Sequence, residues 1–236
     1  MRILVTHVTR MARGYCCVAG ITEREHAHVR PVMGQRLPAS LLAPGGPFDM
    51  GAIVELGKTH PAGARPPEVE DVLFVPERSQ RLGYIAPARL WDILVTEAAD
   101  SLHAIFGTEL EHHHNRRASV PVLMGEASLG AYRPIASCTL AVRESGGTQG
   151  LRIQLASEGL DLSLTDARYY VDDFQAPDME RVRHAQHEIQ RGVDVILGVG
   201  LTRPFARTED EPARHWLQVN ALHLESNPGL RLRTAS

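Results

Sequence analysis

Ile3 to Thr9 (ILVTHVT) and Tyr15 to Thr22 (YCCVAGIT) are short β-branched or apolar runs, separated by Arg10-Met-Ala-Arg-Gly14, which has the turn chemistry of a hairpin. Runs this short, each closed by turn residues, favour strands over helices and commit the chain to a β-rich fold. His28 to Val32 (HVRPV) continues the series, with Pro31 placing that strand's end at an edge. After a Pro/Gly-rich connection from Gly34 to Gly51, Ile53 to Thr59 and Val69 to Val75 read as two more strands around a loop at His60 to Pro67. Ala86 to Phe106 departs from the pattern. Its Leu90, Ile93, Leu94, Ala98, Leu102 and Ile105 recur at helical spacing and predict one helix packed on the strands.

The charged, polar stretch Glu109 to Ala118 (ELEHHHNRRA) reads as a linker, after which the layout begins again. Ala136 to Arg143, Leu151 to Ala156 and Leu160 to Leu164 predict three strands, with ESGGTQG and Ser157 to Gly159 as hairpin loops. Pro177 to Arg191 predicts a charged helix stopped by Gly192, and Val193 to Leu201 and Trp216 to Leu224 two final strands. Three strands, a helix and two strands is the element order of a five-stranded OB barrel. The first half also offers three strands and then two, its irregular Leu37 to Leu42 region being the place for a short helix. The reading is a mainly β chain with a few helices, built as two tandem OB-like five-stranded barrels: 1–110 with a C-terminal helix, a linker at 111–118, and 119–236. One larger β-rich domain, or an SH3-like barrel in the first half, are the alternatives.

With 236 residues, 43% apolar and 22% charged, the chain buries one sizeable core or two smaller ones. No apolar run approaches the roughly 20 residues of a membrane span, and no secretory leader opens the chain, so a cytoplasmic protein with no membrane partner is expected. The 3 cysteines, two of them adjacent at Cys16 and Cys17, make neither a disulfide framework nor a metal knuckle. A net charge of -3 argues against a strongly cationic nucleic-acid binder. Yet Lys58 is the single lysine among 25 basic residues, which leaves 24 arginines. Guanidinium forks onto phosphates and stacks on bases, although a GC-rich genome explains the bias more plainly.

Three clusters carry candidate chemistry. Arg10, Arg13 and Tyr15 on the first hairpin, with Arg30 on the third strand, combine charges for phosphate with a ring for stacking; the plainer reading is solvated turn residues and a ring covering the barrel end. Gly198-Val-Gly-Leu-Thr-Arg-Pro-Phe205 ends a strand with glycines that admit close backbone approach, then presents Arg203 and Phe205. No GK[ST] follows, so this is not a phosphate loop. In HWLQVNALH, alternation sends Trp216, Gln218, Asn220 and Leu222 to one face and Leu217, Val219, Ala221 and His223 to the other. Trp, Gln and Asn together offer a stacking platform with paired donors and acceptors, against the plainer reading of Trp216 as core.

The 12 histidines invite a metal or hydrolytic reading. His112, His113 and His114 are consecutive and cannot converge on one ion from a regular element, while His184 and His187 share a helix face without a third ligand. Asp172, Asp173, Glu180 and Glu188 add carboxylates in no recognised order. No GxSxG, HExxH, CxxC, Walker or kinase signature is present. No metal, cofactor or catalytic residue is assigned.

RGYCCVAGI (Arg13 to Ile21) followed by VRPV (Val29 to Val32), with GVGLTRPF (Gly198 to Phe205) and HWLQVN (His215 to Asn220), resembles the bacterial dual OB-fold domain family over most of the chain. The resemblance implies two OB barrels, a predicted nucleic-acid-binding function and an association with mobile-element or phage-defence systems. The expectation is therefore a module holding single-stranded DNA or RNA in an arginine-lined groove through Arg10, Arg13, Tyr15, Arg30, Arg203, Phe205, Trp216, Gln218 and Asn220, with a partner enzyme supplying any chemistry. A histidine-based hydrolase using His184, His187, His215 or His223, and a protein-interaction adaptor, are the alternatives.

Overall fold

The computed structural model describes residues 1–63, 65–171 and 174–233; Asp172 and Asp173 lie outside them. Arg2–Arg10 (β1), Tyr15–Thr22 (β2), His28–Val32 (β3), Leu37–Pro38 (β4), Ala52–Glu55 (β5), His60–Pro61 (β6), Asp71–Leu73 (β7) and Gln80–Tyr84 (β8) form one sheet. Its order is β6-β7-β3-β2-β1-β5-β8, with β4 beside β2. Pro87–Glu97 (α1), Ala98–Ala99 (β9) and Leu102–Phe106 (α2) follow. Then come Glu111–His113 (β10), Arg117–Pro121 (β11), Leu129–Tyr132 (β12), Cys138–Ser145 (β13), Thr148–Leu155 (β14) and Leu160–Leu164 (β15). Tyr170–Val171 (β16) and Ala176–Pro177 (β17) make a small pair before Met179–Gln190 (α3), Val195–Leu201 (β18) and Arg214–Leu224 (β19). The second sheet runs β13-β14-β15-β19-β18-β12-β9, with the β10–β11 hairpin attached to β19.

The fold is mainly β, in two large sheets and a two-stranded one. Each large sheet holds more than five strands, and neither strand path closes on itself. Three local features differ from the sequence pattern. The helix expected over Ala86 to Phe106 is two helices, because Ala98–Ala99 leaves the helix to pair in parallel with β12. The expected linker 111–118 is largely the β10–β11 hairpin, whose second strand pairs Ser119 with Trp216. The Leu37 to Leu42 region holds only a three-residue turn of 3-10 helix, Ala39–Leu41.

Packing ties the two sheets together. The buried face of α1, Leu90, Ile93 and Leu94, clusters with Leu4 and Ile21 of the first sheet and with Ala131 and Ile196 of the second. Burying such side chains contributes about 1.5 to 3 kcal/mol each, so the helix acts as an apolar clamp. On the other side, Arg10 N donates to Thr165 O (2.8 Å) and Thr9 bridges Asp166. Glu70, buried just before β7, accepts from Ser128 N (2.7 Å), Ser128 Oγ (2.8 Å) and Leu129 N (3.1 Å) of the second half.

Histidines occupy the seam. His7 and His223 are 2% and 0% exposed, and His223 Nε2 meets Thr6 O at 3.1 Å. Burial, with the neighbouring His28 and Arg168 charges, lowers the pKa of His7 to about 3; burial, Arg168 and His7 depress that of His223 well below the ordinary value. Both rings stay neutral in the folded protein where the unfolded chain takes up protons below about pH 6.5. Falling pH therefore favours unfolding, by up to about 1.4 kcal/mol per pH unit per ring. Urea unfolding between pH 7 and 5 is expected to show stability falling as pH falls, with a shallower slope for His7→Gln; a stability unchanged across that range contradicts this account of the seam.

Candidate functional site

Between the two sheets lies a cleft of about 630 Å³. The first half supplies the end of β1, the start of β2, β3 and the loop after it; the second half supplies the end of β18, Thr202, Arg203 and the middle of β19. Of the residues singled out from the sequence, Arg10, Arg30, Arg203, Gln218 and Asn220 line it. They come from segments up to about two hundred residues apart in sequence, brought together by the packing of the halves.

Two β-bulges shape this region. In β1 the pairing skips from Val5 to His7, leaving Thr6 as the extra residue. In β19 it passes from Ala221 to Val219, leaving Asn220 as the extra one. A bulge resets the two-residue alternation. The strict alternation expected for β19 therefore fails beyond Asn220: Leu222 and Leu224 join Leu217 and Val219 in the second-half core, and His223 faces Thr6. The bulge also presents Asn220 to the cleft, where its Oδ1 accepts from Thr165 Oγ1 (3.3 Å). The two glycines of β18 are explained by what crosses them. A Cβ at Gly198 would meet the His7 ring, and one at Gly200 would overlap the Asn220 amide.

Charge in the cleft is partly compensated. Arg30, 5% exposed, donates from Nε to Asp71 Oδ1 (2.5 Å), its parallel neighbour in β7. Arg203 reaches across the halves to Asp71 Oδ2 and Glu68 Oε2, both at 2.6 Å. Burial opposes the Arg203 charge, but its hydrogen bonds to Glu68 and Asp71 outweigh that and hold its pKa above the ordinary value. Arg203 is thus a strut between the halves as well as a lining residue. Arg10 is held differently: its guanidinium lies 3.9 Å from the centre of the Tyr170 ring and donates to Phe174 O (3.0 Å). Arg36, which the sequence did not single out, also lines the cleft and lies 5.9 Å from the Tyr15 ring. Among the described residues, neither Arg10 nor Arg36 has a carboxylate partner.

The remaining candidates sit elsewhere. Arg13, at φ 63°, is exposed on the hairpin tip, and half-buried Tyr15 pairs with Pro38 just beyond the cleft wall. Trp216 is 8% exposed; its Nε1 donates to Phe205 O (3.2 Å), and His113, Phe205 and the Arg207 guanidinium cover the ring. It is a covered core residue rather than an open stacking platform, and half-exposed Phe205 is part of its cover. The four histidines considered for hydrolysis do not converge: His184 and His187 are exposed on α3, while His215 and His223 are buried in β19. Cys16 lines the cleft too, but burial pushes its thiol up to about 12, which keeps it protonated.

A family model of the dual OB-containing domain matches residues 1–222. The chain belongs to that family. Comparison with curated proteins and with solved structures returned no match. In this dual OB-containing chain the described residues include no helix long and apolar enough to cross a membrane.

Gly200→Ala is expected to displace Asn220 and lower stability by about 1 to 3 kcal/mol, the cost of overpacking a tight site. Gly34→Ala, with open space around it, is the comparison and is expected to be near neutral. Equal urea midpoints for the two variants contradict the packing role given to Gly200.

Proposed function

We propose that this protein binds single-stranded nucleic acid in the cleft between its two halves. The observation that carries the reading is the convergence there of guanidinium groups, two of them without carboxylate partners among the described residues, with the carboxamides of Gln218 and Asn220. Guanidinium suits phosphate oxygens in a fork, and a carboxamide presents both a donor and an acceptor to a base edge. Membership of the dual OB-containing family supports the same reading, since OB modules commonly hold oligonucleotides.

Arg36 lies in the cleft wall, 5.9 Å from the Tyr15 ring just beyond it. The acidic overall balance, a net charge of -3, is compatible with local binding because carboxylates pair Arg30 and Arg203, while none among the described residues pairs Arg10 or Arg36. Any chemistry on the bound strand belongs to a partner enzyme in this reading.

Fluorescence anisotropy with labelled single-stranded DNA, single-stranded RNA and duplex at several salt concentrations tests it. Single strands are expected to bind at low salt with log affinity falling by roughly 0.7 per phosphate contact against log salt, hence a slope of about -1.4 for one phosphate shared by Arg10 and Arg30 and one on Arg36. Arg36→Ala is expected to reduce that slope by about 0.7. Absence of binding to every single strand at low salt refutes the proposal.

A further inference from the structure

We infer that the cleft is a short, phosphate-anchored seat for one or two nucleotides rather than a segment of a long nucleic-acid track; the inference rests on the nucleic-acid reading above. Its first support is size. A cleft of about 630 Å³ falls within the range of pockets that enclose a single small ligand. Its second is the character of the walls. Long single-strand tracks in OB folds use a succession of aromatic rings, one under each base. Among the described residues no aromatic side chain lines this cleft; its apolar walls include Met11, Met33, Leu37 and Leu201. Thioether side chains adapt to a flat base but do not form a row of stacking platforms.

The third support is a pair of fixed donors left unmade. Arg30 is 5% exposed and anchored by Asp71 through Nε, yet its buried Nη2 has no hydrogen-bond partner. Arg10 is anchored by the Tyr170 ring and Phe174 O, yet its buried Nε has none either among the described residues. Buried donors without acceptors are costly, and native proteins rarely keep them without a reason. Both belong to arginines lining the same cleft, one from each of the two strands that flank β2, β1 and β3. A phosphate supplies several acceptor oxygens and negative charge to such donors at once. With the phosphate on Arg10 and Arg30, the base lies toward β19, against Gln218 and Asn220. The chemistry fits a phosphate at the end of a strand and that of a free nucleotide alike.

The test is competition against a labelled thymidine octamer by the 5′-phosphorylated dinucleotide pTpT, by unphosphorylated TpT and by thymidine 5′-monophosphate, each on the unaltered protein and on Arg10→Gln. The inference predicts that pTpT competes within a few-fold of the unlabelled octamer, that TpT is weaker by about tenfold for loss of the charged contact, and that Arg10→Gln removes this difference. Competition by pTpT together with the monophosphate places the seat's source in either ligand and supports it; preference for the monophosphate over every oligomer keeps the seat but overturns the strand reading. An affinity that climbs with each added nucleotide, with pTpT unable to compete, overturns the short seat while leaving single-strand binding intact. Failure of octamer and short ligands alike overturns both. The pTpT and TpT comparison on the unaltered protein keeps the test independent of whether Arg10→Gln folds.

Discussion

The fully buried pair of Asp166 and Arg168, 0% and 1% exposed, is the interaction on which the junction of the two halves depends. A buried ion pair is tolerable only when its remaining donors and acceptors are satisfied. Here they are: Arg168 donates to both Asp166 oxygens, to Leu222 O and to Leu230 O, while Leu222 N returns a hydrogen bond to Asp166 Oδ2. The same short segment bridges Thr9 through Asp166, adds Ala167 to the first-half core, and places the Tyr170 ring beneath the Arg10 guanidinium. Removing either charge leaves the other stranded at the seam, so the orientation of the cleft walls depends on a pair that does not itself line the cleft.

From that junction the cleft follows by steric and electrostatic consequence. Gly198 admits His7 and Gly200 admits Asn220, which lets β1 and β19 lie close enough to share a cavity. Asp71 then holds Arg30 on one side and Arg203 on the other, with Glu68 as a second acceptor for Arg203. Those two arginines are positioned at the cost of part of their field, whereas Arg10 is positioned by a ring and a carbonyl. The proposed ligand contacts divide along this line: Arg203 braces, Arg10 and Arg36 attract, and Arg30 does both.

Much of the strand layout was legible because it depends on local pattern. Tyr15–Thr22, His28–Val32 and Leu160–Leu164 occur at the bounds that their apolar runs and flanking turns imply. What depends on distant partners was not. The break at Ala98–Ala99 exists because β12 offers a parallel edge more than thirty positions later, and the polar hairpin of β10 and β11 exists because β19 receives it. The bulge at Asn220 left no mark in the apolar pattern, so alternation misplaced Leu222 and His223. Among the candidate residues, Arg10, Arg30, Arg203, Gln218 and Asn220 line the cleft, and their chemistry is unusual for their positions. Trp216 stands out by residue type, but its cover of Phe205, Arg207 and His113 comes from the loop between β18 and β19 and from β10. Arg36 was overlooked inside a Pro/Gly-rich connection, where only the fold shows that it faces the cleft.

On the proposed function, nucleic acid enters the cleft between the halves and no other surface. Photo-crosslinking with a 4-thiothymidine octamer, followed by mass-spectrometric mapping of the attached peptides, tests it most directly. The account predicts crosslinks within residues 9–17, 30–37, 201–203 and 218–220, the segments that form the cleft walls. Crosslinks confined to the Phe205 to Trp216 surface or to α3, with the cleft segments unmodified, would contradict it.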